Sequence, residues 1–129
     1  MQRREGSDME VLERYGDILP FLEQVVAYAD SHREALGFLP KSLFQEFARS
    51  GDLYVLSPVD GPEQVCAGYL LFQRRFPRAS VLQMFVAPEF RRMGCAKILC
   101  DRLISVLTQA GFSSIYARVG EDLSEANQC

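Results

Sequence analysis

Apolar residues change their period along this chain, and each change marks a new kind of element. Ile18, Phe21, Leu22, Val25, Val26 and Ala29 recur at three- and four-residue intervals, which predicts an amphipathic helix with Asp17 placed to cap it. Ahead of it, Met9 to Tyr15 carries Val11 and Leu12 and reads as a short first strand. Pro40 to Arg49 predicts a second helix, with Pro40 in its first turn, Leu43, Phe44 and Phe47 on one face, and Gly51 just past its end. The helical period then stops. Leu53 to Leu56 is an apolar run closed by a dense group of turn residues, and Gln64 to Gln73 is a second run. These two are expected to pair as a hairpin with Asp60-Gly61 in the turn. Arg74 to Arg78 reads as a basic turn. Val81 to Val86 is apolar on both faces except at Gln83, the mark of an interior strand.

After Pro88 the helical period returns. Ala96, Leu99, Leu103, Val106, Leu107 and Ala110 define a long amphipathic helix, with Gly111 in position to end it. Phe112 to Val119 reads as the last strand, with Ile115, Ala117 and Val119 on one side and Tyr116 on the other. A strand, helix and strand of these lengths imply a parallel crossover. The fold class is therefore α+β: two helices, an antiparallel meander, then a parallel β-α-β unit. Residues 1–8 read as a flexible tail and 9–129 as a single domain.

Composition narrows the function. The 129 residues are 48% hydrophobic and 24% charged with a net charge of −3, enough apolar surface for one core and too acidic for a phosphate-backbone partner. No apolar run approaches the ~18 residues needed to cross a bilayer, and the charged start lacks a secretory centre. No nucleic acid, no membrane and a cytoplasmic setting are expected. Cys66, Cys95, Cys100 and Cys129 form no Cys-x-x-Cys pair, and His32 lies far from them in sequence, so no metal site is expected and the thiols read as small hydrophobes. His32, followed by Arg33 and Glu34, reads as a solvated helix end.

One segment carries chemistry. Between the interior strand and the long helix stand Val86-Ala87-Pro88-Glu89-Phe90-Arg91-Arg92-Met93-Gly94-Cys95-Ala96-Lys97. A helix N-terminus presents main-chain N–H groups without internal partners, at the positive end of the helix dipole. Gly94 and Ala96 clear side chains from that backbone, while Arg91, Arg92 and Lys97 surround it with positive charge. The segment suits a polyphosphate. It is neither a Walker loop, since Ile98 follows Lys97, nor a dinucleotide fingerprint, since Gly94 is its one glycine.

Val86, Pro88, Arg91, Gly94, Ala96 and Leu99 together resemble the acetyl-CoA signature of the GCN5-related N-acetyltransferases (GNAT), whose core reads Arg/Gln-x-x-Gly-x-Gly/Ala. The order of elements from residue 9 to about 126 is similar to that family's, a central mixed sheet flanked by helices. The resemblance implies an acetyl-CoA-dependent N-acetyltransferase in which an amine, small-molecule or peptidyl, attacks the thioester directly in a ternary complex. It implies that main-chain amides of Arg92, Met93, Gly94, Cys95 and Ala96 hold the CoA diphosphate. It also implies that the main chain of Phe85 and Val86 holds the pantetheine, with Val86 N–H as the oxyanion donor.

The chain departs from that pattern at its end. The family often places an acid tyrosine in Asn-x-x-Ala-x-x-Phe-Tyr. Counted from Val119, those positions reach Leu123, Ala126 and Cys129, and the sequence stops before the tyrosine. The fold is thus expected to be C-terminally truncated. The last strand would form an open edge that pairs with another copy as a homodimer, unless the end is poorly ordered. Glu121 and Asp122 are the candidates for a base. The alternative reading is a catalytically impaired CoA-binding or regulatory module.

Overall fold

The computed structural model describes residues 9–59 and 64–117. Five strands lie in sequence order across one sheet: β1 (Met9–Leu12), β2 (Leu53–Pro58), β3 (Gly68–Arg75), β4 (Arg78–Val86) and β5 (Ser114–Ala117). β1 through β4 are antiparallel to their neighbours, and β5 runs parallel to β4. The helices are α1 (Tyr15–Ile18), α2 (Leu22–Ser31), α3 (Arg33–Leu36), α4 (Lys41–Ser50) and α5 (Cys95–Gln109). The mixed sheet flanked by helices is the fold class expected from the sequence.

Two cores form, one on each face. Ile18, Phe21, Val25 and Phe44 from the early helices pack with Val55, Tyr69, Leu71 and Phe85. On the other face Leu99, Cys100, Leu103 and Leu107 of α5 pack on Leu56, Leu70, Phe72 and Val81. β4 changes allegiance along its length. Leu71 opposes Gln83 while Phe72 opposes Val81, so Leu82 is an extra residue and forms a β-bulge. Val81 therefore faces α5, and Phe85 faces the early helices. Gln83, only 1% exposed, points the same way as Phe85. It accepts from Tyr69 Oη at 2.8 Å and donates to the carbonyls of Leu36 and Gly37 at 3.1 and 3.0 Å. One polar side chain in the sheet thereby ties down the α3–α4 connection.

Several boundaries move from the sequence reading, each for a local reason. The first helix is not continuous and Asp17 does not cap it. Arg14 takes the N-cap position, and Pro20 sits in a 3₁₀ turn, Leu19–Phe21, that separates α1 from α2. Proline lacks an N–H and crowds the preceding turn, so an unbroken helix is excluded there. α3 is an additional turn of helix. Pro40 is the N-cap of α4 and not part of its first turn. Arg74, Arg75 and Arg78 belong to strands, leaving Phe76-Pro77 alone as the turn. The β2–β3 pairing stands as expected, while Asp60 and Gly61 lie outside the described residues. Gly111 ends α5 as expected: at φ +89° its N–H reaches Thr108 O at 3.0 Å, and Phe112 N–H reaches Leu107 O at 2.9 Å.

The thiols of Cys66, Cys95 and Cys100 are buried in these cores. Burial pushes the Cys66 thiol up to about 12 and the Tyr54 phenol up to about 12. An unfolded chain releases such protons earlier, near about 8.5 and 10. The folded chain then holds protons that the unfolded chain has lost, so stability falls as pH rises through that interval. The melting temperature is expected to drop steadily from about pH 9 upward, and more shallowly in Cys66→Val, as differential scanning calorimetry would read.

Candidate cofactor site

The site begins where β4 stops. Ala87 N–H donates to Ala67 O at 2.8 Å. In an antiparallel ladder pairs alternate, so the next pair, Val86 opposite Gly68, is not hydrogen-bonded and Val86 turns its main-chain groups away from β3. Met84 does the same, while Phe85 turns its groups toward Tyr69. On the far side of β4, β5 pairs only with Arg78 to Val81 among the described residues. The outward carbonyl of Val86 accepts from Arg91 Nε at 3.0 Å, which leaves its N–H facing that open side.

Beyond Val86 the chain makes a 3₁₀ turn, Pro88–Phe90, and then reverses into α5. The reversal uses two residues in the left-handed region, Arg92 at φ +68° and Gly94 at φ +77°. Gly94 is the N-cap, without a side-chain hydrogen bond, and the first helical bond is Ile98 N–H to Gly94 O at 3.0 Å. Among the described residues, the N–H groups from Gly94 to Lys97 therefore have no acceptor within the helix. A Cβ built on Gly94 meets nothing within 4 Å. Beside this turn opens a cavity of about 590 Å³ lined by Val86, Phe90, Arg91, Arg92, Gly94, Cys95 and Ala96. Unpaired donors, a helix N-terminus and an open groove coincide, which is the arrangement a diphosphate with an attached arm requires.

Of the residues singled out from sequence, Val86, Arg91, Arg92, Gly94, Cys95 and Ala96 line this cavity. Met93 and Lys97 do not. Met93 is 40% exposed, and Lys97 Nζ is held by Asp101 Oδ2 at 2.7 Å, which offsets its charge. Phe85 does not line the cavity either. Its main chain is committed to β3 and its ring to the opposite core, so Met84 is the second outward-facing position along β4. Cys95 is buried, which raises its thiol pKa, and its Sγ lies 3.4 Å from Phe90 O. Glu121 and Asp122 lie outside the described residues, as do Leu123, Ala126 and Cys129.

Sequence reasoning missed Phe90 as a wall of the groove and missed what gathers around Phe85. The ring centroids of Tyr28 and His32 each lie 4.8 Å from that of Phe85, and the Arg91 guanidinium lies 5.8 Å from it. Tyr28 Oη donates to Cys66 O at 3.3 Å, and burial first, then Cys66 and Glu89, raises its pKa. Phe44, by contrast, is core packing, edge-on to Tyr69 at 6.2 Å. Among the described residues no group of three or more His, Cys, Asp or Glu side chains is placed to hold a metal, and no helix is long and apolar enough to cross a membrane.

A family model described as the acetyltransferase (GNAT) family matches residues 21–128. Among solved structures, Ard1 from Thermoplasma volcanium is similar at TM-score 0.67 and 18% identity, over 85% of this chain and 70% of that one. The ribosomal-protein-S18-alanine N-acetyltransferase from Escherichia coli is similar at TM-score 0.63 and 16% identity, over 93% and 74% of the two chains. The diaminobutyrate acetyltransferase EctA from Paenibacillus lautus, solved with L-2,4-diaminobutyric acid and coenzyme A, is similar at TM-score 0.64 and 16% identity. That likeness covers 84% of this chain and 64% of EctA. At these identities the likenesses establish the fold. Among curated proteins none matches the chain.

Proposed function

The chain belongs to the GNAT acetyltransferase family, and from that premise we propose that it transfers an acetyl group from acetyl-CoA to an amine by direct attack within a ternary complex. The observation that carries this reading is the set of N–H groups from Gly94 to Lys97, without intrahelical partners, at the head of a groove that reaches Val86 at the end of β4. The N–H groups of Arg92 to Ala96 and the start of the α5 dipole hold the diphosphate, with Arg91 and Arg92 adding positive charge. The outward main-chain groups of Met84 take the pantetheine as an added strand. Acetyl-CoA bound there supplies an activated acyl carbon. With the Val86 carbonyl already accepting from Arg91, the Val86 N–H is left, in this reading, as the oxyanion donor.

The acceptor in this reading is a small-molecule or peptidyl amine, and the setting is the cytoplasm, where buried thiols such as Cys66 and Cys95 stay reduced. β5 is the last strand of the sheet among the described residues, and a second copy pairing along it is part of the proposal. A well-folded monomer on size-exclusion chromatography would count against that pairing.

Thermal shift and thiol release test the function together. Acetyl-CoA is expected to raise the melting temperature, and an amine panel is expected to release free CoA thiol. Binding without turnover would favour the regulatory module, and no stabilisation by CoA would remove both readings. Cys95→Ala is expected to leave CoA affinity within about threefold, because its buried Sγ donates to Phe90 O and the group proposed to meet the diphosphate is its main-chain N–H, which alanine keeps. Calorimetric titration checks it.

A further inference from the structure

The groove beside α5 accounts for the acyl donor, but the acceptor needs a proton acceptor of its own, since an alkylamine reaches the site as an ammonium and attacks only as the free amine. With the α5 side of β4 filled by the donor, the amine must approach from the face of the early helices. His32 stands there, at the end of α2, solvent-exposed, its ring 4.8 Å from that of Phe85. Phe85 directly precedes Val86, and Arg91 joins the two by lying over the Phe85 ring while donating to Val86 O.

The imidazole is also held in one useful tautomer. Its Nδ1 lies 3.0 Å from the Tyr28 carbonyl oxygen. A carbonyl only accepts, so Nδ1 carries the proton, and in the neutral ring Nε2 carries the basic lone pair. Nε2 makes no hydrogen bond among the described residues. The charged neighbour Arg33 is turned elsewhere, over the Phe38 ring at 4.7 Å and toward Asp30 at 3.8 Å.

We propose that His32 is the general base of the transfer, with Nε2 taking a proton from the acceptor ammonium at the early-helix end of β4; this rests on the acetyltransferase reading above. The free amine then forms a C–N bond to the acetyl carbon, and the C–S bond breaks with its electron pair passing to sulfur. The second proton lost from nitrogen goes to the thiolate, and the imidazolium returns its proton to water. One proton is released overall for each amide and thiol formed. The sequence offered little sign of this, because the nucleophile that His32 serves belongs to the substrate and not to the chain.

The test compares two kinds of nucleophile in His32→Ala and His32→Asn, the second keeping a donor for the Tyr28 carbonyl. Thiol release from acetyl-CoA is measured with a panel of primary alkylamines and peptides, and with hydroxylamine, which is already uncharged near neutral pH. Both variants are expected to be stabilised by acetyl-CoA as the wild type is. With alkylamines or peptides their kcat is expected to fall by about a hundredfold, and with hydroxylamine by less than about threefold. Free imidazole is expected to restore part of the lost rate in His32→Ala. An unchanged kcat, or an equal loss with both nucleophiles, overturns the role of His32 alone. Absence of thiol release by the wild type with every nucleophile overturns the transferase reading, and this role with it.

Discussion

Gly94→Val is expected to weaken acetyl-CoA binding by about a hundredfold or more while leaving the domain folded. Two independent facts converge on that position. At φ +77° it sits where side chains with a Cβ are strained, at a cost of about 1–2 kcal/mol to stability. A Cβ there projects into open space, and Gly94 lines the groove, so a branched side chain occupies the ligand's volume. Losing two charge-assisted main-chain hydrogen bonds, each worth roughly 1.5 kcal/mol or more, amounts to about 3 kcal/mol, or about two decades in affinity. Calorimetric titration of the variant with acetyl-CoA reads this directly. Affinity within threefold of wild type would mean that the helix start is not the diphosphate site.

Gly68→Ala is expected to be the most disruptive glycine-to-alanine change among the described residues. A Cβ at Gly68 would lie 2.5 Å from the Phe85 carbonyl oxygen and 3.3 Å from Val86 Cα, both main-chain atoms of the paired strand. No side-chain rotation relieves that contact, so β3 and the end of β4 must separate. Overpacking of this kind costs typically 1–3 kcal/mol, and backbone against backbone belongs at the upper end, about 3 kcal/mol. For a domain of this size that is a fall of roughly 10 °C in melting temperature. Because the atoms displaced include Val86, acetyl-CoA affinity is expected to fall as well. A variant that melts within 2 °C of wild type would show that the two strands accommodate the methyl.

How far the sequence could be read depended on whether a feature was local. The turn proposed to cradle the diphosphate was legible as a turn into a helix because its parts are contiguous: a strand end, Pro88, the glycine turn and the apolar stripe of α5 follow one another. So were the fold class and the β2–β3 pairing, each carried by periodicity and turn residues. The break at Pro20 was also written locally, and its single signal was outweighed by the helical period around it. The bulge at Leu82 was not legible, since it is defined by register against β3 and swaps the face that Phe85 presents. That swap is what puts the side chains of Phe85 and Val81 on opposite faces, and what brings Tyr28 and His32 to the Phe85 ring. The direction of the main-chain groups likewise depends on pairing, which is why Met84 and Val86, and not Phe85, turn theirs away from β3. Gln83 looked like a polar blemish in an apolar strand, and its partners Tyr69, Leu36 and Gly37 are tertiary neighbours.

The most direct measurement is an amide nitrogen–proton spectrum of the labelled protein during titration with acetyl-CoA. The cross-peaks of Arg92 through Ala96 are expected to move downfield together with a single saturating affinity, as main-chain donors engage a diphosphate. Saturation of binding with those peaks unmoved, the shifts falling elsewhere on the sheet, would contradict the account.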